Sequence, residues 1–374
     1  MKFRSFTSES VCSGHPDKVC DAISDSVLDA AYAIDPMSRV AIETLVTKDY
    51  CAIVGEVTSL AQLDYEAIAK STIHSLGYTN PVFGFSDQSE IMVKVHTQSP
   101  EIARGVDSDG AGDQGMMFGY ACLETDNYMP LPIELAHAIT RGIDSARESG
   151  TIPYLRPDGK AQVTVAYKQG IPVGLESLVM AVPHEEKISR LELTHDLYQT
   201  VIRPILEKYR LTYREQDIIV NGTGVWHIPG PASDSGVTGR KIVVDTYGGY
   251  ARVGGGAFSG KDVTKVDRSG AYAARYLAKN IVAAGLAEEC EVALAYFIGA
   301  KRPVMQEIET FGTAKCDPRT IDDYATKLLD TSVSGIIKGL DLRRPIYRAT
   351  AAYGHFGRVG FPWEKIKSTN QLIN

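Results

Sequence analysis

The chain has 374 residues, 44% hydrophobic and 23% charged, an ordinary globular balance with enough length for two or three cores. Its formal net charge of -7, from 46 acids against 39 bases, argues against a general nucleic-acid or anionic-membrane surface, so any polyanion must find a local basic pocket. No apolar run reaches the ~18 residues of a membrane span and the start "MKFRSFTSES" lacks the apolar centre of a signal peptide, which makes the cytoplasm the expected location. Six cysteines (Cys12, Cys20, Cys51, Cys122, Cys290, Cys316) lack C-x-x-C spacing and read as free, mostly buried thiols.

In chain order, "SGHPDKVCDAISDSVLDAAY" comes first, with Pro16 at the natural first position of a helix whose apolar face runs Val19, Ile23, Val27, Ala31. His15, Asp17 and Lys18 gather at its positive end, which suits a phosphate and its magnesium; simple capping by Asp17 is the alternative reading. "RVAIETLV" and "CAIVGEVTS" alternate like paired strands about the turn "TKDY". Glu43 and Glu56 lie within them and either meet a cation or face solvent from the polar side of the hairpin. "LDYEAIAKSTIHSLGY" and "PIELAHAITRGIDSARESG" have helical spacing, "AQVTVAY" and "ESLVMAV" repeat the strand pattern, and "KIVVDTY" reads as an apolar strand. "DRSGAYAARYLAKNIVAAG" is a further helix ending at a glycine, followed by the strand "EVALAYFIG". Hairpins followed by single helices point to an α+β architecture.

Ahead of that third long helix stands "GGGAFSGKD", Gly254 to Asp262, which nearly matches a nucleotide-binding P-loop, G-x-x-x-x-G-K-[ST], but carries Asp262 where Ser or Thr would hold magnesium. The chain runs on through Val263, Thr264 and Lys265 before a helix start at Asp267, whereas a P-loop joins a strand directly to its helix. Arg240, Lys241, Lys261, Lys265 and Arg268, interleaved with Asp234, Asp245, Asp262 and Asp267, suit a phosphate chain with a divalent metal, or a solvated loop of balanced charge.

Taken together, "FTSES", "GHPDK", "GAGDQGMMFGYA", "LRPDGKAQVTV", "SGVTGRKIVVDTYGG", "GGGAFSGKDVTKVDRSGAYAARY" and "AAYGHFGR" closely resemble the S-adenosylmethionine synthetase (methionine adenosyltransferase) family over nearly the whole chain. The resemblance implies three similar α/β-sandwich domains with pseudo-threefold symmetry, over 2–100, 110–228 and 230–368. It also implies a homodimer with shared active sites, commonly a homotetramer, and a reaction of ATP with L-methionine that yields S-adenosylmethionine, pyrophosphate and phosphate. An inactive nucleotide- or AdoMet-binding paralogue is the alternative, and the retained acids and bases speak against it.

The resemblance assigns catalysis to His15, Lys160, Arg240, Lys261 and Lys265. It assigns ATP to His15, Asp158, Lys160, Val225, Trp226, Asp234, Arg240, Lys241, Ala257 and Lys261, and methionine to Glu56, Gln98, Asp113, Asp234 and Lys265. Asp17 and Asp267 are implied to hold magnesium, two ions per site, and Glu43 potassium. The chain departs from many members in two places. Only Asp107, Ser108 and Asp109 stand between "QSPEIARGV" and "GAGDQG" where a longer lid is usual, and Val225-Trp226 replaces an Arg-Phe pair near the adenine.

Overall fold

The computed structural model describes residues 4–97 and 110–368. Three sheets, each covered on one face by a long helix, make up the architecture. Strands β1 (Ser5–Val11), β2 (Arg39–Thr47), β3 (Tyr50–Thr58) and β4 (Glu90–His96) belong to the first third, with helices α1 (Pro16–Ile34) and α2 (Tyr65–Ser75). The second third holds β5 (Gly115–Cys122), α3 (Leu131–Glu148), β6 (Lys160–Lys168), β7 (Ile171–Ala181), α4 (Arg190–Leu197), α5 (Arg203–Lys208) and β8 (Ile218–Val220). The last holds β9 (Gly236–Val237), a helical turn α6 (Ile242–Asp245), α7 (Val266–Ala283), β10 (Glu289–Tyr296), β11 (Met305–Glu309), α8 (Pro318–Leu328) and α9 (Val333–Gly339).

Each third repeats strand, long helix, antiparallel hairpin, helix. The sheets do not follow the thirds, however. β1 pairs with β6 in the order β1-β6-β7-β8, β5 pairs with β10 in β11-β10-β5, and β9 pairs with β2 in β4-β3-β2-β9. Each third therefore lends its first strand to the next third's sheet, cyclically, and all three lent strands run antiparallel to their hosts. The long helices follow the exchange: α1 packs on β2 and β9, α3 on β1 and β6, α7 on β5 and β10. Gly119 permits the last contact, since a Cβ there would lie 1.9 Å from the Ala274 carbonyl carbon.

The expected α1 face, Val19, Ile23, Val27 and Ala31, is fully buried, and the hairpin of β2 and β3 pairs Thr47 with Tyr50 across its turn as the alternation predicts. All six cysteines are free, five of them buried. "KIVVDTY" is a correction: Ile242–Asp245 forms a helical turn, not a strand. The apolar run is consistent with either state, and here Asp245 N–H returns to the Lys241 carbonyl at 2.8 Å.

Candidate active site

Helix α1 carries an acidic stripe that organises the site. Asp17, Asp21, Asp25 and Asp29 recur every four residues and so share one helix face. Each accepts backbone N–H groups from the last third of the chain: Asp17 from Val237 (2.9 Å), Asp21 from Gly239 (2.8 Å), Asp25 from Gly260 (2.9 Å), Asp29 from Tyr347 (2.9 Å) and Arg348 (2.8 Å). The stripe thus fixes both glycine-containing turns, 237–241 and 254–262, against one rigid helix. Behind it, Lys18 reaches Asp245 at 2.5 Å and Asp21 at 2.9 Å, all three buried. Burial raises the carboxyl of Asp245 to about 7, with Lys18 opposing, so two buried carboxylates share one lysine. Arg268 makes a bidentate pair with Asp25 at 2.7 and 2.8 Å with neither side chain exposed. It belongs to the framework, not to the basic surface the sequence suggested.

At the start of α1, His15 caps the helix by accepting the Asp17 N–H on Nδ1 at 3.2 Å. Burial, then the Lys241 and Lys160 ammonium groups, lowers its pKa to about 3, so the imidazole is neutral. With Nδ1 accepting, the proton is assigned to Nε2, which becomes a hydrogen-bond donor. Asp17 takes Lys241 at 2.5 Å and stands 3.7 Å from Arg240; burial pushes its carboxyl up, but the Lys241 and Val237 hydrogen bonds outweigh it and leave it below the usual range. Lys160 opens β6 as an exposed side chain. Asp158 is buried, one oxygen on Gly159 N–H (2.6 Å) and the other on Gly230 N–H (3.0 Å), and burial raises it to about 7 against those bonds. Gly14 lets the two loops meet, since a Cβ there would come 2.8 Å from the Asp158 nitrogen.

The glycine-rich loop forms the second half. Residues 260–262 extend along the edge of β2: Ile42 N–H donates to Gly260 O (2.9 Å) and Asp262 N–H to Val40 O (3.0 Å). Asp262, at the position a P-loop gives to Ser or Thr, is a buried anchor: it accepts from Val40 N–H (2.8 Å), Thr264 N–H (2.9 Å) and Thr264 Oγ1 (2.7 Å), and pairs with Lys265 at 2.5 Å. Lys261 pairs with Asp267 at 2.7 Å in the first turn of α7. Gly256 lies so close that a Cβ would sit 2.0 Å from the Asp267 carboxyl carbon. Asp113 is exposed alongside, its segment tied in by Gly112 N–H to Thr264 O at 3.2 Å. Ala257 touches the other half, its Cβ being 2.4 Å from where a Gly239 Cβ would stand.

Pairing of Ala41 with both Lys261 and Glu56 puts Glu43, Glu56 and Lys261 on one face of the first sheet, the face away from α1. Glu43 is exposed there, its carboxyl raised by partial desolvation and lowered by Lys261; Glu56 meets His96 at 3.3 Å. Val225 and Asp234 are exposed, and the Trp226 indole N–H is taken by Ile228 O at 2.6 Å. Gln98 and the short segment Asp107–Asp109 fall outside the described residues.

Among the described residues no group of three or more His, Cys, Asp or Glu forms a metal cage. Single carboxylates such as Asp17 and Asp267 suit magnesium, which keeps water and takes one or two carboxylates plus phosphate oxygens. Asp21, Asp25 and Asp29, and the pairing of Lys18 and Arg268 with the stripe, escaped motif reading, although four Asp at a spacing of four on a helix with a separate apolar face is the signal that would have found them.

Models of the N-terminal, central and C-terminal domains of S-adenosylmethionine synthetase match residues 4–100, 108–226 and 228–365. The chain is 51% identical over 380 residues to S-adenosylmethionine synthase 1 of Rhodopseudomonas palustris, covering 100% of this chain and 99% of that protein. It is 49% identical over 386 residues to S-adenosylmethionine synthase of Clostridium tetani, covering 99% and 98%.

Proposed function

This chain belongs to the S-adenosylmethionine synthetase family, and on that premise we propose how its own residues carry the reaction. The enzyme is a methionine adenosyltransferase that converts ATP, L-methionine and water to S-adenosylmethionine, pyrophosphate and phosphate, with a metal requirement general to the family. A thioether sulfur is nucleophilic without losing a proton, so the first step needs alignment at the ribose 5'-carbon and stabilisation of the departing triphosphate rather than a base.

The single observation that carries the residue assignment is His15 fixed by its Nδ1 cap at the positive end of α1 beside Asp17, Arg240 and Lys241. Its Nε2–H donates to the triphosphate oxygen that leaves the 5'-carbon, a bond that strengthens as charge develops there. Lys160, Arg240, Lys241, Lys261 and Lys265 neutralise the chain, which water then cleaves to pyrophosphate and phosphate. Asp158 acts through the turn it holds, Ala257 through its contact with the Arg240–Lys241 turn, and Val225 with Trp226 borders the base. Glu56, Gln98, Asp113 and Asp234 take methionine together with Lys265.

Asp17 and Asp267 would hold magnesium, two ions per site, and Glu43 potassium. When bound, the magnesium ions neutralise phosphate charge. Lys241 and Lys261 stand beside those two acids, paired with Asp17 and Asp267, where they would share the triphosphate charge with the metal.

The functional unit we propose is a homodimer, paired further into a homotetramer, in the cytoplasm. The sheet faces away from the helices support it: exposed Leu45 and Val54 on the first, Val179 and Ile219 on the second and Met116 on the third are apolar surface for a second copy to cover. The three stretches 2–100, 110–228 and 230–368 are the proposed repeating units.

Mass spectrometry of the products tests the reading. ATP with methionine must give S-adenosylmethionine, pyrophosphate and phosphate in equal amounts, whereas ADP released without methionine would overturn it.

A further inference from the structure

Tyr78 has no role in the assignments above, yet three segments of the site meet at its hydroxyl. It lies just past the end of α2, where its N–H returns to Ile73 O at 3.3 Å and its carbonyl accepts the Asp87 N–H at 3.0 Å. The ring is fully buried and edge-on to Phe83 and Phe85, with centroids 6.5 and 5.5 Å away. Burial pushes the phenol well above the ordinary tyrosine range, so the oxygen keeps its proton and can donate it. It donates to the Gly14 carbonyl at 2.5 Å. Gly14 is buried, and among the described residues its carbonyl takes no backbone N–H. That carbonyl and the His15 N–H belong to one peptide plane, so holding the first fixes the plane from which the His15 side chain departs. On its other side the same hydroxyl touches Gly230, where a Cβ would lie 1.9 Å from the Tyr78 oxygen. Gly230 donates its N–H to Asp158 at 3.0 Å and accepts the Asp234 N–H on its carbonyl at 3.2 Å. One oxygen atom thus stands between the segment that carries His15 and the turn that carries Asp234, and that turn is tied to Asp158, two residues before Lys160.

We propose that Tyr78 is a positioning residue for the transfer step: its hydroxyl locks the Gly14–His15 peptide in the orientation that aims the imidazole at the leaving oxygen, and its contact with Gly230 keeps the Asp234 turn in register with it. The inference rests on the His15 assignment above and extends it to the residue that orients that histidine. Tyr78 acts through His15 and not on the reacting atoms. Without the hydroxyl the peptide plane is free to rotate, and a donor displaced by a fraction of an ångström still lets ATP bind but meets the developing charge poorly. The loss therefore falls on kcat more than on KM.

The test is Tyr78→Phe in the full chain, which removes the oxygen and keeps the ring against Phe83 and Phe85. We expect kcat to fall about ten- to a hundredfold, while KM for ATP and for methionine changes by less than about threefold and circular dichroism shows a folded protein. In a His15→Ala background the same substitution should change kcat by less than about twofold, because two residues that act as one unit are not additive. Phe85→Leu is the control: it loosens the same aromatic packing and keeps the hydroxyl, so it should lower the melting temperature and leave kcat within about twofold of the parent. A role in stability alone would instead lower the melting temperature in both variants and spare kcat in both. A parental kcat in Tyr78→Phe, equal falls in the two backgrounds, or a fall in Phe85→Leu as large as in Tyr78→Phe would overturn the proposal. A parental kcat in His15→Ala alone would overturn the His15 assignment, and the proposal with it.

Discussion

Asp25 and Arg268 illustrate what single residues do here. Their two hydrogen bonds, with Arg268 also 4.3 Å over the Tyr347 ring, satisfy a charge pair removed from water on both sides. Removing one partner leaves the other charge buried and unpaired, so Asp25→Ala should cost about 3–5 kcal/mol, read as a fall in urea midpoint at unchanged slope. A loss under 1 kcal/mol would mean that water reaches the pair. Asp158 gives the opposite case. Its folded pKa is raised to about 7, above the ordinary carboxyl value, so the folded state holds a proton the unfolded chain has released between about pH 4 and 7. Stability contributed by this group is therefore present at low pH and lost as pH rises toward 7. Asp158→Asn should remove that loss, and urea unfolding at pH 5 and pH 7 should show the variant gaining on the parent with pH.

At the scale of elements, α1 serves two layers at once. Its apolar face covers the first sheet, while its acidic stripe receives the backbone of the third repeat, so the turns that carry Arg240, Lys241 and Lys261 are tied to α1 through their main chain. The glycine-rich loop depends on this closeness. Gly260 has φ +80° and lies where a Cβ would be 2.0 Å from the Ile42 carbonyl oxygen, so Gly260→Ala combines backbone strain with a clash against β2. It should destabilise the protein by more than about 1 kcal/mol. Gly256→Ala should instead leave stability closer to the parent and lower kcat, because the methyl group displaces Asp267, an exchange checked by thermal unfolding beside steady-state kinetics.

Across the whole molecule, cyclic strand exchange ties the three repeats into one folding unit. A chain of residues 108–226 alone lacks β1, which leaves the β6 edge unpaired and α3 without one of the two strands it packs on. Such a fragment should show no cooperative transition in circular dichroism; a sharp melt would mean that the repeat folds by itself. The proposed shared site yields a second test at this scale. Mixed dimers of Lys261→Ala and Asp17→Ala chains should recover part of the activity that either homodimer lacks, and no recovery in isolated heterodimers would assign both residues to a site within one chain.

Local features of the sequence determined much of this protein. The period of α1, the β2–β3 alternation and the glycine stops after α3 and α7 are set within a few residues, because backbone hydrogen bonding and amphipathic spacing act over one or two turns. The blocks around His15, Asp17, Lys261 and Lys265 carried the family resemblance, and the family models over the whole chain bear that family out. Tertiary structure alone decided the rest. That "KIVVDTY" becomes a helical turn, that Arg268 and Asp262 are buried anchors while Lys261 stays half-exposed, and that β1, β5 and β9 leave their own thirds all depend on contacts between residues more than 100 positions apart or on the edges those contacts leave open. Such choices carry no local signature, because an apolar run or a charged side chain is compatible with several environments until the partner surface arrives to desolvate it.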